Sequence, residues 1–439
     1  MKLKKISYSR LIHKTALKLH KMHPAFFNFV LNFYTKITLI FRFLSTARTN
    51  YVKVPVSTRR TIYIVSKGDL QTSVNGGISR VENYFYSHLM DERQKTYCVI
   101  PVMWDGGTFV VANKSLSLRT RKIFAKKQVL VWNPNENDIL FFPTYSIFGS
   151  LDKNKIKTIT NRCKIALLIH DMLPITHPEW FGDNLNGVFM RFFDSVWVHA
   201  DLIIVSSKKV QKDIEAYVAN KDLNFMKNTP LIRKVSLWSV ATPTSQFEKN
   251  QGEIPTERIQ PFSNSDPVLI LLSTVEPRKG HQELINAAKV AWAHGARFNL
   301  LFVGRLGWIS ESFKTKFEDF LEAECYRAIW YTSVEDEELE RLFGLSDILV
   351  SPSLDEGYGL PIAEALQRGL PVLANGIPVY QELFSSYAVL YGPGERYSSL
   401  ENALTSIESV ISISNDLISS AQLPSIDSTA ELVELFGDM

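Results

Sequence analysis

Short apolar, β-branched runs alternate with helix-length amphipathic stretches along this chain, and they do so in two successive series. Residues 61–66 (TIYIVS), 96–102, 139–142, 165–169 and 202–205 read as strands of the first series. Residues 268–273, 298–303, 329–331, 348–351 and 371–374 read as strands of the second, with helical patterns at 282–294 and 335–345. A parallel pair of strands needs a crossover long enough to hold a helix, so this alternation predicts parallel sheets covered on both faces. After the first strand comes a polar, Gly-containing stretch, KGDLQTSVNGG, and then a helical pattern from Ile78. Strand, glycine loop and helix open a Rossmann-like unit. Between the two series, Pro243, Pro255, Pro261 and Pro267 mix with Ser, Gln, Asn and Glu, the texture of an interdomain linker. At 439 residues the chain suits two cores better than one. The expected fold class is α/β, with two Rossmann-like domains facing each other across a cleft. The first covers residues 59–245 and the second 267–400, with a linker at 246–266 and a helical tail at 401–439.

Charge is distributed unevenly. Residues 1–60 hold 13 Lys or Arg and no Asp or Glu, leaving 36 basic against 45 acidic residues elsewhere, a balance of −9. A basic arm on an acidic body points to an anionic partner for the arm. Phe26, Phe27, Val30, Leu31, Tyr34, Ile37, Phe41 and Leu44 recur at helical spacing, while Asn28, Asn32, Lys36 and Arg42 are polar. Basic charge with an aromatic apolar stripe favours an anionic membrane surface over nucleic acid as the partner. Interfacial binding is one placement; a helix packed on the protein's own surface and a spanning anchor are the others. The polar interruptions weigh against spanning, and no small-residue cleavage site follows to mark a secretory signal. Cys98, Cys163 and Cys325 are far apart, which argues for a reducing compartment and against a disulfide framework or a metal-ligand spacing.

Two segments carry candidate chemistry. In SPSLDEGYGLPIAEAL, residues 351–366, a strand ends at Ser351, Gly357 and Gly359 allow a tight turn, and Pro361 suits the first position of a helix. Amides at that helix start can hold a pyrophosphate with help from the helix dipole. Glu356 lies before the helix and Glu364, eight residues on, is expected on its first turn. One carboxylate can then face a sugar while the other bonds a ribose, although acidic residues at a helix start also serve as plain caps. In STVEPRKG, residues 273–280, Arg278 and Lys279 follow a strand end, where open α/β sheets bind ligands. Such a pair can neutralise a diphosphate, the guanidinium as a fork and the ammonium as a point charge. Taken alone, it also reads as a surface basic pair.

Together, STVEPRKGHQELINAA, FNLLFVGRLGW and LVSPSLDEGYGLPIAEALQRGLPVLANG resemble the donor domain of retaining family-four glycosyltransferases, which have the two-domain GT-B fold. The resemblance spans roughly residues 268–395. It implies that Glu356 contacts the donor sugar and Glu364 the ribose, and that Arg278 and Lys279 bind the diphosphate and stabilise its departure. It implies a nucleotide-binding set of Glu364, Gly357, Tyr358, Gly359, Leu360 and Gly304, joined by Gly76 and Gly77. The last two belong to Asn75-Gly76-Gly77-Ile78-Ser79-Arg80, which resembles the family's first glycine loop. HDMLPITHPEWF, residues 170–181, is similar to the His-Asp loop of bacterial polysaccharide mannosyl- and rhamnosyltransferase-like members, where His170 approaches the transferred sugar from the acceptor side. DLIIVSS, residues 201–207, resembles a further strand ending in serine. The basic arm departs from the family pattern, and the match after Tyr397 is poor. Whether residues 402–436 return to the first domain is open at this level.

No Asp-x-Asp loop stands in a suitable context, so fixed donors from Arg278, Lys279 and the helix start take the place of a metal, and no cofactor is expected. The resemblance implies retention at the anomeric carbon, with Glu356 orienting the sugar. A glycosidase would need two acids flanking one bond. The other readings are a sugar-nucleotide epimerase on the same fold and an inactive membrane-bound scaffold. The implied partners are a nucleoside-diphosphate sugar, with mannose- or deoxysugar-like transfer, and a glycan acceptor linked to polyprenyl diphosphate. The implied location is the inner face of the cell membrane.

Overall fold

A computed structural model of the chain describes residues 50–53, 57, 59–65, 76–91, 96–104, 108–111, 128–144, 162–181, 185–219, 230–241, 262, 265–307 and 309–439. The apolar stripe from Phe26 to Leu44, Asn75, and most of the linker lie outside these residues. Residues 1–55 and 116–132 form one compact unit, and residues 56–115 and 133–439 a second. In the first unit, β1 (Asn50–Lys53) pairs in parallel with β5 (Gln128–Val131).

The second unit contains both expected α/β halves. In the N-terminal half, β2 (Thr61–Val65), β3 (Cys98–Trp104), β4 (Phe109–Val111), β6 (Ile139–Phe142), β7 (Lys164–Ile169), β8 (Leu202–Val205) and β9 (Leu231–Lys234) run in the order β4-β3-β2-β6-β7-β8-β9. All these pairings are parallel except β3 with β4. In the C-terminal half, β10 (Val268–Leu272), β11 (Asn299–Val303), β12 (Ala328–Tyr331), β13 (Ile348–Ser351), β14 (Val372–Asn375) and β15 (Val389–Tyr391) run in the order β12-β11-β10-β13-β14-β15, all parallel. The central strands are covered on both faces: every residue of β2, β6, β8, β11 and β13 is buried. This is why they lack polar–apolar alternation in sequence. Strands β4, β9 and β15 go beyond the sequence-based expectation. Two are three residues long, and β9 (LIRK) is largely exposed. Strands so short or so exposed carry little apolar signal.

Helices pack on these sheets. They are α1 (Gly77–Leu89), α2 (Leu173–Thr176), α3 (Leu185–Val196) and α4 (Lys208–Ala219) in the N-terminal half. In the C-terminal half they are α5 (His281–Ala293), α6 (Glu311–Ala323), α7 (Asp336–Gly344), α8 (Leu360–Gln367) and α9 (Pro378–Phe384). The tail divides between the halves. Helices α10 (Leu400–Thr405) and α11 (Ile407–Ser420) stay with the second sheet, where the buried Ser414 hydroxyl accepts from Val372 N at 2.8 Å. Helix α12 (Ser428–Gly437), capped by the Asp427 carboxylate, crosses back to the first. Its Glu431 accepts from Ser236 N at 2.8 Å, its Ser428 hydroxyl bonds Ser239 at 2.7 Å, and Phe436 meets Phe141 edge-on at 5.3 Å. Leu432 and Phe436 are fully buried in the core cluster that holds Ile62 and Phe141. The tail thus ties the two halves of the unit through apolar burial. Among the described residues no helix is long and apolar enough to cross a membrane, and Cys98, Cys163 and Cys325 are free thiols.

Candidate active site at the second switch point

In the C-terminal sheet the strand order reverses between β10 and β13, and the loops leaving their carboxyl ends bound a crevice, the usual ligand position in such sheets. Backbone approach forces the two loops together. After β10, residues Pro277–Lys279 form a 3-10 turn closed by Gly280 at φ 72°. A Cβ on Gly280 would overlap the carbonyl of Pro352, just beyond β13, so only glycine fits this approach. Leu354 N donates to Arg278 O at 2.8 Å across the same seam. Gly304, at φ 145°, presses on the Ser273 carbonyl in the same way. Its role here is to let the loops after β10 and β11 approach.

This packing brings Arg278, Lys279 and Glu356 into one buried cluster. Arg278 Nη1 lies 2.9 Å from Glu356 Oε2, Lys279 Nζ contacts Oε1, and the Ser353 hydroxyl donates to Oε1 at 3.1 Å. Glu276 faces Arg278 Nε at 3.2 Å. Burial alone would raise the Glu356 carboxyl pKa, but the Lys279 and Arg278 charges reverse that and hold it at about 2. Glu356 is therefore ionised at neutral pH and serves as an acceptor, not as a general acid. Burial and the adjacent Arg278 charge lower the Lys279 pKa. Burial opposes the charge on Arg278 as well, but Glu356, Asp171 and Glu276 outweigh it and raise the guanidinium pKa. A cavity of about 10 Å³ opens between Lys279, Glu356, Ser353 and Tyr380, about the room one water needs. The Tyr380 hydroxyl is 3.0 Å from Ser351 Oγ, and burial raises its pKa.

The glycine turn before α8 is gripped by the N-terminal half. The Gly357 carbonyl accepts from Ser206 at 3.1 Å and Ser207 at 2.8 Å, the serines that end DLIIVSS. A Cβ on Gly357 would overlap the carbonyl oxygen of His170. The His170 ring points elsewhere: Nε2 lies 2.8 Å from the Pro143 carbonyl. A carbonyl can only accept, so Nε2 carries the proton. Next to the turn, Asp355 receives Lys209 Nζ at 2.6 Å, and the amides of Lys208 and Lys209 at the start of α4 donate to Glu382 at 2.9 and 3.2 Å. Tyr358 joins the apolar core against Phe384, with burial raising its phenol pKa to about 12.

Helix α8 begins at Leu360 behind the left-handed Gly359, at φ 105°. This corrects two expectations. Pro361 is the second helical residue, not the first, and Glu364 is the fifth, beyond the first turn, so Glu364 caps nothing. Its side chain, 5% exposed, instead meets the Arg80 guanidinium of α1. Gly77, at the start of α1, stands where an added Cβ would be 3.3 Å from the Leu360 side chain, and Gly76 turns the chain at φ 139°. The first glycine loop and the α8 start are thus neighbours. Sequence reasoning misses Arg80, Ser353, Tyr380, Glu276 and the pair Lys209–Asp355. Among these, Arg80 carries a local signal, as the last residue of the glycine-loop hexapeptide. Lys209 meets Asp355 across 146 positions and Tyr380 meets Ser351 across 29. Ser353 and Glu276 look in sequence like ordinary polar loop residues.

Comparison with known proteins agrees with this architecture. Residues 254–422 match the family described as glycosyl transferases group 1. The chain is 28% identical over 346 residues to the serotype-specific mannosyltransferase WbdA of Escherichia coli, a match covering 78% of this chain and 40% of that protein. The chain therefore spans about two fifths of the length of that relative. The fold is shared with the Anabaena protein HepE, solved with UDP and glucose, at TM-score 0.53 and 15% identity over 87% of this chain and all of that one. It is also shared with WaaG, a glycosyltransferase involved in lipopolysaccharide biosynthesis, at TM-score 0.52 and 14% identity over 85% of this chain and 98% of that one. The architecture is GT-B.

Proposed function

We propose that this chain, whose residues 254–422 form a domain of the glycosyl transferases group 1 family, moves a hexosyl group from a nucleoside-diphosphate sugar to a glycan acceptor with retention of configuration. The observation that carries the reading is the meeting of Arg278, Lys279 and Glu356 at the β10–β13 switch point. Departure of a nucleoside diphosphate concentrates negative charge on the leaving oxygen. Two fixed cations beside it stabilise that charge without reorganising, which is the most effective form of electrostatic catalysis. Glu356, ionised and anchored at both oxygens, orients sugar hydroxyls by accepting from them. With both oxygens engaged by Arg278, Lys279 and Ser353, it is poorly placed to form a glycosyl-enzyme bond, so acceptor attack proceeds on the face that the diphosphate leaves. Glu364 takes the donor ribose, and His170, at the end of β7, lies on the acceptor side.

The similarity to WbdA favours a mannosyl donor. The basic aromatic arm favours an acceptor carried on polyprenyl diphosphate at an anionic membrane, on its inner face. No cofactor is required: Arg278, Lys279 and the α8 start supply the charge that a metal would. The test is calorimetric titration with a panel of nucleotide sugars, followed by linkage and anomeric analysis of the product. Arg278→Ala and Lys279→Ala should each weaken donor binding or turnover by about 1.5–3 kcal/mol, one lost charge-assisted contact apiece. Unchanged donor kinetics in both variants would reject the assignment. Release of a free altered nucleotide sugar without acceptor would make the enzyme an epimerase.

A further inference from the structure

Glu364 is held by a residue of the other half. Arg80, the fourth residue of α1, reaches Oε1 of Glu364. The second oxygen, Oε2, is buried and has no hydrogen-bond partner. A buried carboxylate oxygen is ordinarily satisfied, so an exception calls for a partner, and beside a crevice a ligand can supply it. Other groups nearby enforce this arrangement. Asp336 and Glu340 of α7 also attract Arg80. Glu340, however, is engaged by Arg368, whose Nε lies 2.9 Å from Oε2 of Glu340 and whose Nη2 contacts Oε1. Arg368 Nη1 also donates to the Glu364 carbonyl at 2.7 Å, fixing the α8 backbone. Arg80 is thus directed to Glu364, and the carboxylate plane is pinned from one side.

We infer that Arg80 is a positioning residue for donor recognition: it fixes Glu364 through Oε1 so that Oε2 accepts from the ribose hydroxyls of the nucleotide. The inference rests on the reading of Glu364 as the ribose ligand. It adds that the ribose contact depends on a side chain from the N-terminal half, so nucleotide recognition and the approach of α1 to α8 are coupled. Only one oxygen is held, so the other offers the ribose a single acceptor in a contact that does not involve the base.

The test is calorimetric titration of the full chain with GDP and 2′,3′-dideoxy-GDP, and in parallel with UDP and 2′,3′-dideoxy-UDP. Wild type, Arg80→Ala, Arg80→Lys, Arg80→Gln and Glu364→Gln are compared, each with its melting temperature. Wild type should prefer the ribonucleotide by roughly tenfold, the worth of one charge-assisted hydrogen bond. Glu364→Gln should lose most of that preference. Arg80→Ala and Arg80→Gln should reduce it to within about twofold while affinity for the dideoxy nucleotide stays the same, and Arg80→Lys should restore part of it. A role limited to fold stability would weaken both nucleotides together, and that result overturns the inference. So does a full ribose preference in folded Arg80→Gln, or tighter ribonucleotide binding by Arg80→Ala, which would make the ion pair a competitor. If Glu364→Gln keeps the preference, the ribose reading of Glu364 itself falls. If wild type binds neither nucleotide, both readings fall.

Discussion

Replacing Glu356 with Gln keeps the shape of the side chain and removes the charge at the centre of the buried cluster. The cost follows from the geometry. Glu356 is 8% exposed and receives Arg278, Lys279 and Ser353. Its carboxyl is held at about 2 against an ordinary 4.5. At about 1.4 kcal/mol per pH unit, that difference contributes on the order of 3 kcal/mol to folding. Breaking a buried ion pair by removing one partner costs roughly 3–5 kcal/mol. The lower end applies here, because Arg278 keeps Glu276 at 3.2 Å. The sign follows from the folded-state pKa being depressed. The stabilisation is fully present above the unfolded value of 4.5 and is lost as pH falls towards about 2. Urea unfolding followed by tryptophan fluorescence should therefore separate wild type from Glu356→Gln by about 3 kcal/mol at pH 7. The gap should narrow as the pH is lowered through 4.5 towards about 2. A gap below about 1 kcal/mol at pH 7 would refute the reasoning, as would one that does not change with acid. The charge network would then be a loose surface arrangement, and Arg278 and Lys279 would not be fixed charges able to stabilise a leaving group.

Three further outcomes are expected. Transfer activity should survive excess EDTA, since the proposed charge stabilisation is built from Arg278 and Lys279; loss that magnesium or manganese restores would reveal a metal requirement. Gly357→Ala places a methyl group on the His170 carbonyl, so the turn must shift away from Ser206 and Ser207. Thermal unfolding should show a loss of about 1–3 kcal/mol together with reduced turnover, and a variant with wild-type melting and turnover would show that the turn has room to spare. Deleting residues 1–49, which keeps β1 on β5, should leave donor hydrolysis intact and reduce flotation with anionic liposomes. Each basic residue near the surface adds about 1 kcal/mol, and equal flotation of the truncated and full chains would assign the arm a different role.

Much of the C-terminal half is legible in the amino-acid sequence alone. Strands such as β10 (VLILL) and β13 (ILVS) are apolar almost throughout, and burial on both faces of a parallel sheet requires that composition wherever the chain is placed. Gly280, Gly304 and Gly359 mark places where the backbone must turn left-handed or approach another chain segment. Arg278 and Lys279 directly precede Gly280, and Glu356 lies three residues before Gly359, so their site is visible as local pattern. Contacts between the halves are not visible in this way. The pairing of Arg80 with Glu364 joins residues 284 apart, and α12 crosses to Ser236 over 195 residues and to the more distant Phe141. Nothing in the neighbourhood of Glu364 distinguishes a helix cap from a carboxylate held by a distant guanidinium. Strand identity is decided by short-range periodicity and burial, which each segment carries in itself. Which oxygen of Glu364 is occupied is decided by how the two sheets dock, and that depends on the packing of the whole second unit.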